Sequence, residues 1–283
     1  MNVRDIKTKA RSTFGLNRSN IMTVFIFVAV TLTAIQYLTD LIGSMIPFFS
    51  FLAGIVILPL GHGNIVTALK TVNERGDEIS IEQDGLAGFK RYRELFFTYF
   101  IHKVFLSIIL LFIIIIGALI AKFSIGDVGI NNIISLFNEV SKNGFQVSAY
   151  LNDPVFAVVI DQLRRIIVLG TIVILVIMVM YSLCFALTPY ILEKYNVKGI
   201  KAMSESLRLM KGHKGALFVL YLSYIGWYFL AVLLLTAVTM IIPVTIIVNL
   251  IAAIITTYLF SAELNVCLAV FYEEIDLEDK NIV

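Results

Sequence analysis

Six stretches of the chain are long, almost wholly apolar and bounded by polar residues. A helix needs about 20 such residues to cross the hydrocarbon core of a bilayer. The pattern therefore predicts six transmembrane helices, at 21–38, 48–69, 95–121, 166–191, 216–242 and 243–271. The last two adjoin at Ile242 and Pro243, and we expect a hairpin there because proline cannot donate the helical hydrogen bond.

The composition strengthens this interpretation. Of the 283 residues, 59% are hydrophobic and 15% are charged, whereas soluble domains contain roughly 45–50% apolar and about 25% charged residues. The net charge of only +2 gives no basis for nucleic-acid binding. The predicted fold class is all-α: a polytopic membrane protein built as a six-transmembrane-helix bundle with interfacial amphipathic helices.

The basic residues are unevenly divided between the two sides of this bundle. Seventeen Lys and Arg lie in the N-terminal arm, in the second and fourth loops and in the C-terminal tail, against four in the other loops. Loops rich in Lys and Arg stay on the cytoplasmic side of a membrane. We therefore predict a multi-pass protein of the cell membrane with its N- and C-termini in the cytoplasm.

The parts outside the spans are short. A basic amphipathic arm at 1–20 precedes the transmembrane domain at 21–272, and an acidic cytoplasmic tail at 273–283 follows it. The transmembrane domain includes an outer segment at 122–165 and a cytoplasmic amphipathic segment at 196–214. The arm carries one apolar helical face, formed by Val3, Ile6, Ala10 and Phe14. In the cytoplasmic segment, the corresponding face is formed by Ile200, Met203, Leu207 and Met210.

Amphipathic helices with a basic face commonly lie in the headgroup plane of a membrane, with the apolar side toward the lipid. The expected partners are therefore the lipid bilayer and its anionic headgroups at the cytoplasmic face, or alternatively a membrane protein that docks on this surface. Within the outer segment, the pattern at 130–140 predicts a short helix that rests on the outer surface or covers a cavity. The acidic tail is expected to be frayed and to pair loosely with basic residues.

Three ionisable residues fall inside predicted spans: His62, Lys103 and Glu263. Such residues are costly in a bilayer and are site candidates. Each lies roughly 10–12 Å from the cytoplasmic end of its span, at about 1.5 Å per residue, so the three can form one polar cluster. One interpretation is a proton- or ion-coupled pathway. The other is structural: Lys103 reaches the headgroups, and Glu263 is held by neighbouring polar residues.

Two further patterns concern the shape of the spans. Pro59, Gly61 and Gly63 surround His62 and predict a kink or a local unwinding of the second span. Asn249 and Glu263 lie on one face of the sixth span, which is typical of close helix packing or of a conduit. We find no motif of a soluble enzyme, no metal-ligand spacing and no cofactor motif, and we expect none of these activities.

The segment Ser206–Phe218, followed by Leu222–Trp227, carries the most specific signature. It resembles the core of the bacterial integral-membrane family numbered 975 among the domains of unknown function. The residues that carry the resemblance are Met210, Gly212, Lys214, Ser223, Gly226 and Trp227. The resemblance implies a six-span bacterial membrane protein and assigns it no reaction.

Within this signature, Trp227 lies too deep for the interfacial belt, which predicts that the fifth span is interior. For function, the sequence favours a non-catalytic membrane module or accessory subunit at the bacterial cell envelope. The alternative is a small-molecule or lipid transporter that uses His62, Lys103 and Glu263.

Overall fold

A computed structural model of the protein describes residues 2–16, 18–46, 54–55, 57–142, 154–242 and 244–282. All regular elements in these ranges are helical. The α-helices are α1 (Val3–Leu16), α2 (Arg18–Met45), α3 (Gly63–Val72), α4 (Ala87–Lys90), α5 (Tyr92–Lys142), α6 (Pro154–Phe185), α7 (Thr188–Tyr195), α8 (Ile200–Leu209), α9 (Lys214–Leu222), α10 (Ile225–Ile241), α11 (Thr245–Thr256) and α12 (Ala262–Ile282). Short 3₁₀ or π turns occupy Leu60–His62, Gly76–Glu78, Ile81–Gly85 and Thr257–Ser261.

In the part of the chain that the structure describes, five helical stretches are long and apolar enough to cross a membrane, which indicates a multi-pass membrane protein. They are Arg18–Met45, Tyr92–Ser124, Arg164–Tyr195, Lys214–Ile241 and Thr245–Asp279. The predicted all-α fold class is confirmed, and the described residues contain five of these helices where the sequence predicted six spans.

The difference lies in the predicted span 48–69. Its residues 48–53 and 56 lie outside the described part of the chain, and the remainder is interrupted: a turn and the 3₁₀ segment Leu60–His62 precede α3. Proline withholds one helical hydrogen bond and glycine weakens a helix, so Pro59, Gly61 and Gly63 together explain the interruption.

The interrupted segment nevertheless runs back along α2. A Cβ atom on Gly61 would lie 3.4 Å from Leu32, and one on Gly63 would lie 3.1 Å from Val28. Farther along the chain, a Cβ atom on Gly85 would lie 3.0 Å from Phe27. The segment therefore returns antiparallel to α2, toward the beginning of that helix.

Gly63 and Gly88 have no room for a side chain. A Cβ atom at Gly63 would lie 2.7 Å from the carbonyl oxygen of Asp84, and one at Gly88 would lie 2.6 Å from that of Leu60. Because a backbone carbonyl cannot move aside as a flexible side chain can, larger residues would separate these segments. The two glycines thus hold the turn around His62 against its neighbours.

The chain divides into two compact units, Met1–His102 with Leu183–Val283, and Lys103–Ser182. In the first unit, α1 packs against α12 and α3, and α2 packs against α3 and α11. Ile6, Ala10 and Phe14 are buried. The apolar face of α1 is therefore covered by protein, whereas the sequence pattern favoured a face covered by lipid.

In the second unit, the apolar side chains of α5 and α6 are mostly exposed, among them Phe112 and Leu175. Phe105 and Tyr181 stack with ring centroids 6.3 Å apart. At Gly126 the backbone leaves the helical conformation, with φ +70°, a region that favours glycine. Residues 127–142 then continue as a helix, which confirms the helix predicted at 130–140.

Candidate functional site

His62 is the centre of the first polar cluster and is completely buried. Its Nδ1 atom lies 2.9 Å from the hydroxyl of Tyr99, and its Nε2 atom lies 2.8 Å from Oε2 of Glu193. Tyr99 belongs to the second turn of α5, and Glu193 belongs to α7. The interrupted segment, α5 and α7 thus meet at one imidazole ring.

The same carboxylate also binds a cation. Oε2 of Glu193 accepts a hydrogen bond from Nη1 of Arg91 at 2.7 Å. Arg91 is the residue directly before α5. One histidine tautomer satisfies the whole chain of contacts: Nε2–H donates to Glu193, and Nδ1 accepts from the hydroxyl of Tyr99. The cluster is therefore a continuous polar connection from a buried ring to Arg91, whose side chain is 34% exposed.

Glu263 is the centre of the second polar cluster. Its Oε1 atom accepts hydrogen bonds from Nε of Arg11 at 3.0 Å and from the hydroxyl of Tyr224 at 2.8 Å. The Tyr224 hydroxyl also lies 3.2 Å from Sγ of Cys267, and the ammonium of Lys7 lies 4.0 Å above the Tyr224 ring. The basic arm thus supplies two cations to this cluster.

Two helix irregularities lie beside the second cluster. Tyr224 occupies the break between α9 and α10, and Glu263 lies two residues after the π-helical turn Thr257–Ser261. Such a turn rotates the following residues relative to the preceding α-helix, and π-bulges occur often at functional sites. Neither irregularity was predicted from the sequence, and around the π-helical turn the stretch 245–271 contains no proline or glycine that would signal one.

Two of the three candidates from the sequence, His62 and Glu263, have separate partners. The imidazole of His62 contacts Glu193, and the carboxylate of Glu263 binds Arg11. Lys103 is exposed on α5 and belongs to the second unit. Because Glu263 pairs with the basic arm, it is not the isolated, deep carboxylate that its position in span six suggested.

A third group of ion pairs holds the end of α12. The ammonium of Lys194 pairs with Glu273 and lies 3.0 Å from Asp276, which also accepts a hydrogen bond from Tyr195 at 2.7 Å. The predicted pairing of the acidic tail with basic residues is confirmed, but the tail is the last part of a helix and is not frayed.

Arg208 on α8 reaches the same helix. Its guanidinium donates to Asp279 at 2.7 and 2.8 Å, and to Glu205 at 2.8 Å. The hydrogen bond to Asp279, followed by that to Glu205, raises the pKa of Arg208 above its usual value. The guanidinium is therefore a permanent cation that fixes α8 against the end of α12.

The buried face of α8 differs from the predicted one. Met203 and Met210 are buried as expected, but Ile200 and Leu207 are exposed. The other buried positions are Ala202, Ser206 and Leu209. The hydroxyl of Ser206 donates to the carbonyl oxygen of Cys184 at 3.0 Å, so this polar residue is satisfied on the protein side.

The model of a protein family described as "Protein of unknown function (DUF975)" matches residues 1–279. The chain belongs to this family. No curated protein and no solved structure matched the chain.

Three of the DUF975 signature residues, Met210, Gly212 and Lys214, lie at the turn that leads into α9. Gly212 adopts φ +91°, which favours glycine, and forms the turn after α8. Met210 is fully buried, and Lys214 begins α9. The signature is thus explained in part by the geometry of this turn.

The prediction that the fifth span of this DUF975 chain is interior is not met in α10, which forms the second part of that span, whereas Leu217 and Leu220 in α9 are buried. Trp227 is 42% exposed, and Ala231 is the only buried residue among those described in α10. No neighbour lies within 4 Å of a Cβ atom placed on Gly226, and the Ser223 hydroxyl bonds within its own helix. The depth of a tryptophan along a span does not determine which side of the helix faces the protein.

Proposed function

We propose that this protein is a non-catalytic integral membrane module or accessory subunit that acts at the bacterial cell envelope. The observation that carries this proposal is that the polar groups of both clusters cross-link helices. His62 joins the interrupted segment to α5 and α7, and Glu263 on α12 joins this helix to the arm and to the break between α9 and α10. Buried polar groups fully used in this way stabilise one arrangement of helices.

An enzymatic role receives no support from these contacts. Both ring nitrogens of His62 are engaged by side chains of its own chain. The thiol of Cys267 is buried and contacts the Tyr224 hydroxyl. A nucleophile needs an adjacent base and access to a substrate, and neither cluster combines them.

We further propose that both termini lie in the cytoplasm of a bacterial cell. The uneven distribution of Lys and Arg supports this orientation. The contacts of Arg11 with Glu263 and of Lys9 with Glu274 place the arm beside the C-terminal helix. An even number of crossings brings both termini to one side, and the return of the interrupted segment along α2 supplies the sixth crossing.

Reporter fusions test this orientation. A periplasmic reporter should be active after residue 145 and inactive at the C-terminus, and a cytoplasmic reporter should show the opposite pattern. Finding both positions on the same side would contradict the proposed topology.

The proposed partners are anionic lipid headgroups and a membrane protein, and the exposed face of α8 is the surface offered to them. Ile200 and Leu207 are exposed and lie about two helical turns apart, beside the exposed Lys201. Gentle detergent extraction followed by mass measurement should show a stoichiometric protein partner. The double variant Ile200→Asp/Leu207→Asp should lose it, while Leu277→Asp, at an exposed apolar position on α12, should keep it.

The alternative is a transporter or permease that uses His62, Lys103 and Glu263. One observation favours it: the buried His62 lies at the break of the interrupted segment, and some transporters bind their substrate at such broken helices. Proteoliposomes under an imposed pH gradient test it with an enclosed pH-sensitive dye. Proton flux that His62→Asn abolishes would support transport, and the absence of flux with the unaltered chain would contradict proton coupling.

A further inference from the structure

A cavity of about 530 Å³ lies beside the second half of α2, between that helix, the interrupted segment and α11. One part of its wall is polar and is formed by Gln36, Asp40 and Asn249. Another part is apolar and includes Leu32 and Leu58, with Gly61 next to the buried His62. All of these residues belong to the first unit. Pockets for small organic molecules combine an apolar wall with a few polar groups in this way.

Asp40 is the charged group of the cavity. Its Oδ1 atom accepts a hydrogen bond from Nε2 of Gln36 at 2.8 Å. Among the described residues, none of the ion pairs involves Asp40. Its side chain and that of Gln36 are exposed, and Asp40 lies five residues before the end of α2, beyond the predicted span 21–38. The carboxylate is therefore within reach of a ligand that enters the cavity from outside.

We propose that this cavity binds a small organic cation, an ammonium group carried on a short apolar body. The ammonium pairs with Asp40 and donates to the amide oxygens of Gln36 and Asn249. The apolar body lies against Leu32 and Leu58 and extends toward Gly61. A cavity of this volume is within the range that small-molecule sites occupy. The inference does not depend on the proposed function, because it concerns a different part of the first unit.

The experiment compares three ligands of similar shape and different charge on the full chain in lipid nanodiscs. Phenethylamine is the cation, 2-phenylethanol the neutral analogue and 3-phenylpropanoate the anion, and binding is measured by calorimetry against empty nanodiscs. We expect saturable binding of the amine, at least about tenfold weaker binding of the alcohol, and no binding of the acid. The alcohol cannot form a charge-assisted hydrogen bond with Asp40, and the carboxylate of the acid is repelled by that of Asp40.

Two variants and a control locate the site. Asp40→Asn should lower the affinity for the amine to that for the alcohol, while Asp5→Asn, which removes an exposed carboxylate from α1, should leave both unchanged. Leu58→Trp fills the apolar wall and should weaken both ligands, which keeps the test decisive if Asp40→Asn fails to fold. Equal affinity for all three ligands, or amine binding that neither variant changes, would overturn the proposal.

Discussion

The two polar clusters differ in how far their central residue is removed from solvent. His62 is completely buried, and its carboxylate partner Glu193 is 20% exposed. Glu263 is 25% exposed, but its cation Arg11 is 60% exposed. In the first cluster the buried imidazole depends on its neighbours because water cannot replace them, whereas in the second cluster water can take the place of a lost partner. Similar hydrogen-bond distances therefore correspond to different contributions to stability.

The largest effect is expected at Glu193. Glu193→Leu removes the acceptor for both His62 and Arg91 and should lower the free energy of unfolding by about 3 kcal/mol. This is the lower end of the range for a broken buried pair, because Arg91 is partly exposed and keeps a contact of 3.4 Å with Glu94. Equilibrium unfolding in mixed detergent micelles measures the change.

A double-mutant cycle separates the pair from general damage. Arg91→Met in the Glu193→Leu background should cost less than Arg91→Met alone, since the charge it removes has already lost its partner. Additive effects of the two substitutions would show that Glu193 and Arg91 do not stabilise each other, and would remove the reason to rank this cluster above the other.

The next effect is expected at Tyr99. Tyr99→Phe keeps the ring and removes the hydroxyl, so Nδ1 of the buried His62 loses its donor. We expect a loss of about 1–2 kcal/mol in the free energy of unfolding, the usual consequence of an unsatisfied buried acceptor. Tyr258→Phe, at an exposed position within the π-helical turn, is the matched control and should have no measurable effect. Equal losses in the two variants would contradict the assigned role of Tyr99.

The centres of both clusters were predictable from the sequence, but their partners were not. His62 and Glu263 stand out because they interrupt apolar stretches. Glu193 and Arg91 lie among ordinary charged residues at span ends, where pattern alone does not distinguish a buried partner from a solvated one. The requirement that a buried imidazole be hydrogen-bonded indicates that a partner exists, but only the tertiary fold identifies it.

The amphipathic helix α8 shows the same limit for packing. Its apolar residues form two overlapping stripes that share Met203 and Met210. One stripe continues through Ile200 and Leu207, and the other through Ala202 and Leu209. The sequence favoured the stripe with the larger side chains, whereas the fold buries the narrower one and uses the Arg208–Asp279 pair beside it. The arrangement of neighbouring helices, and not the size of the apolar side chains, decided which face of α8 is buried.

A smaller effect is expected in the second cluster. Glu263→Gln keeps an acceptor for Tyr224 and removes the charge that faces Arg11, so the loss of stability should not exceed about 1 kcal/mol after allowance for solvent screening. The effect of Arg11→Met should be coupled to that of Glu263→Gln. The effect of Arg4→Met, which removes an exposed cation from α1, should be additive with that of Glu263→Gln. A loss as large as that of Glu193→Leu would contradict the ranking by exposure.

The smallest effect is expected for Lys9, which completes the comparison on the exposed side. Its ammonium lies 3.5 Å from Glu274, and the two side chains are 50% and 28% exposed. Ion pairs at such distance and exposure contribute little, so Lys9→Ala should change the free energy of unfolding by less than about 0.5 kcal/mol. The change should disappear at high salt, because added ions screen exposed charges. If Lys9→Ala instead destabilised the protein as much as Glu263→Gln at every salt concentration, the arm would be held by its charges and not by the burial of Ile6 and Ala10.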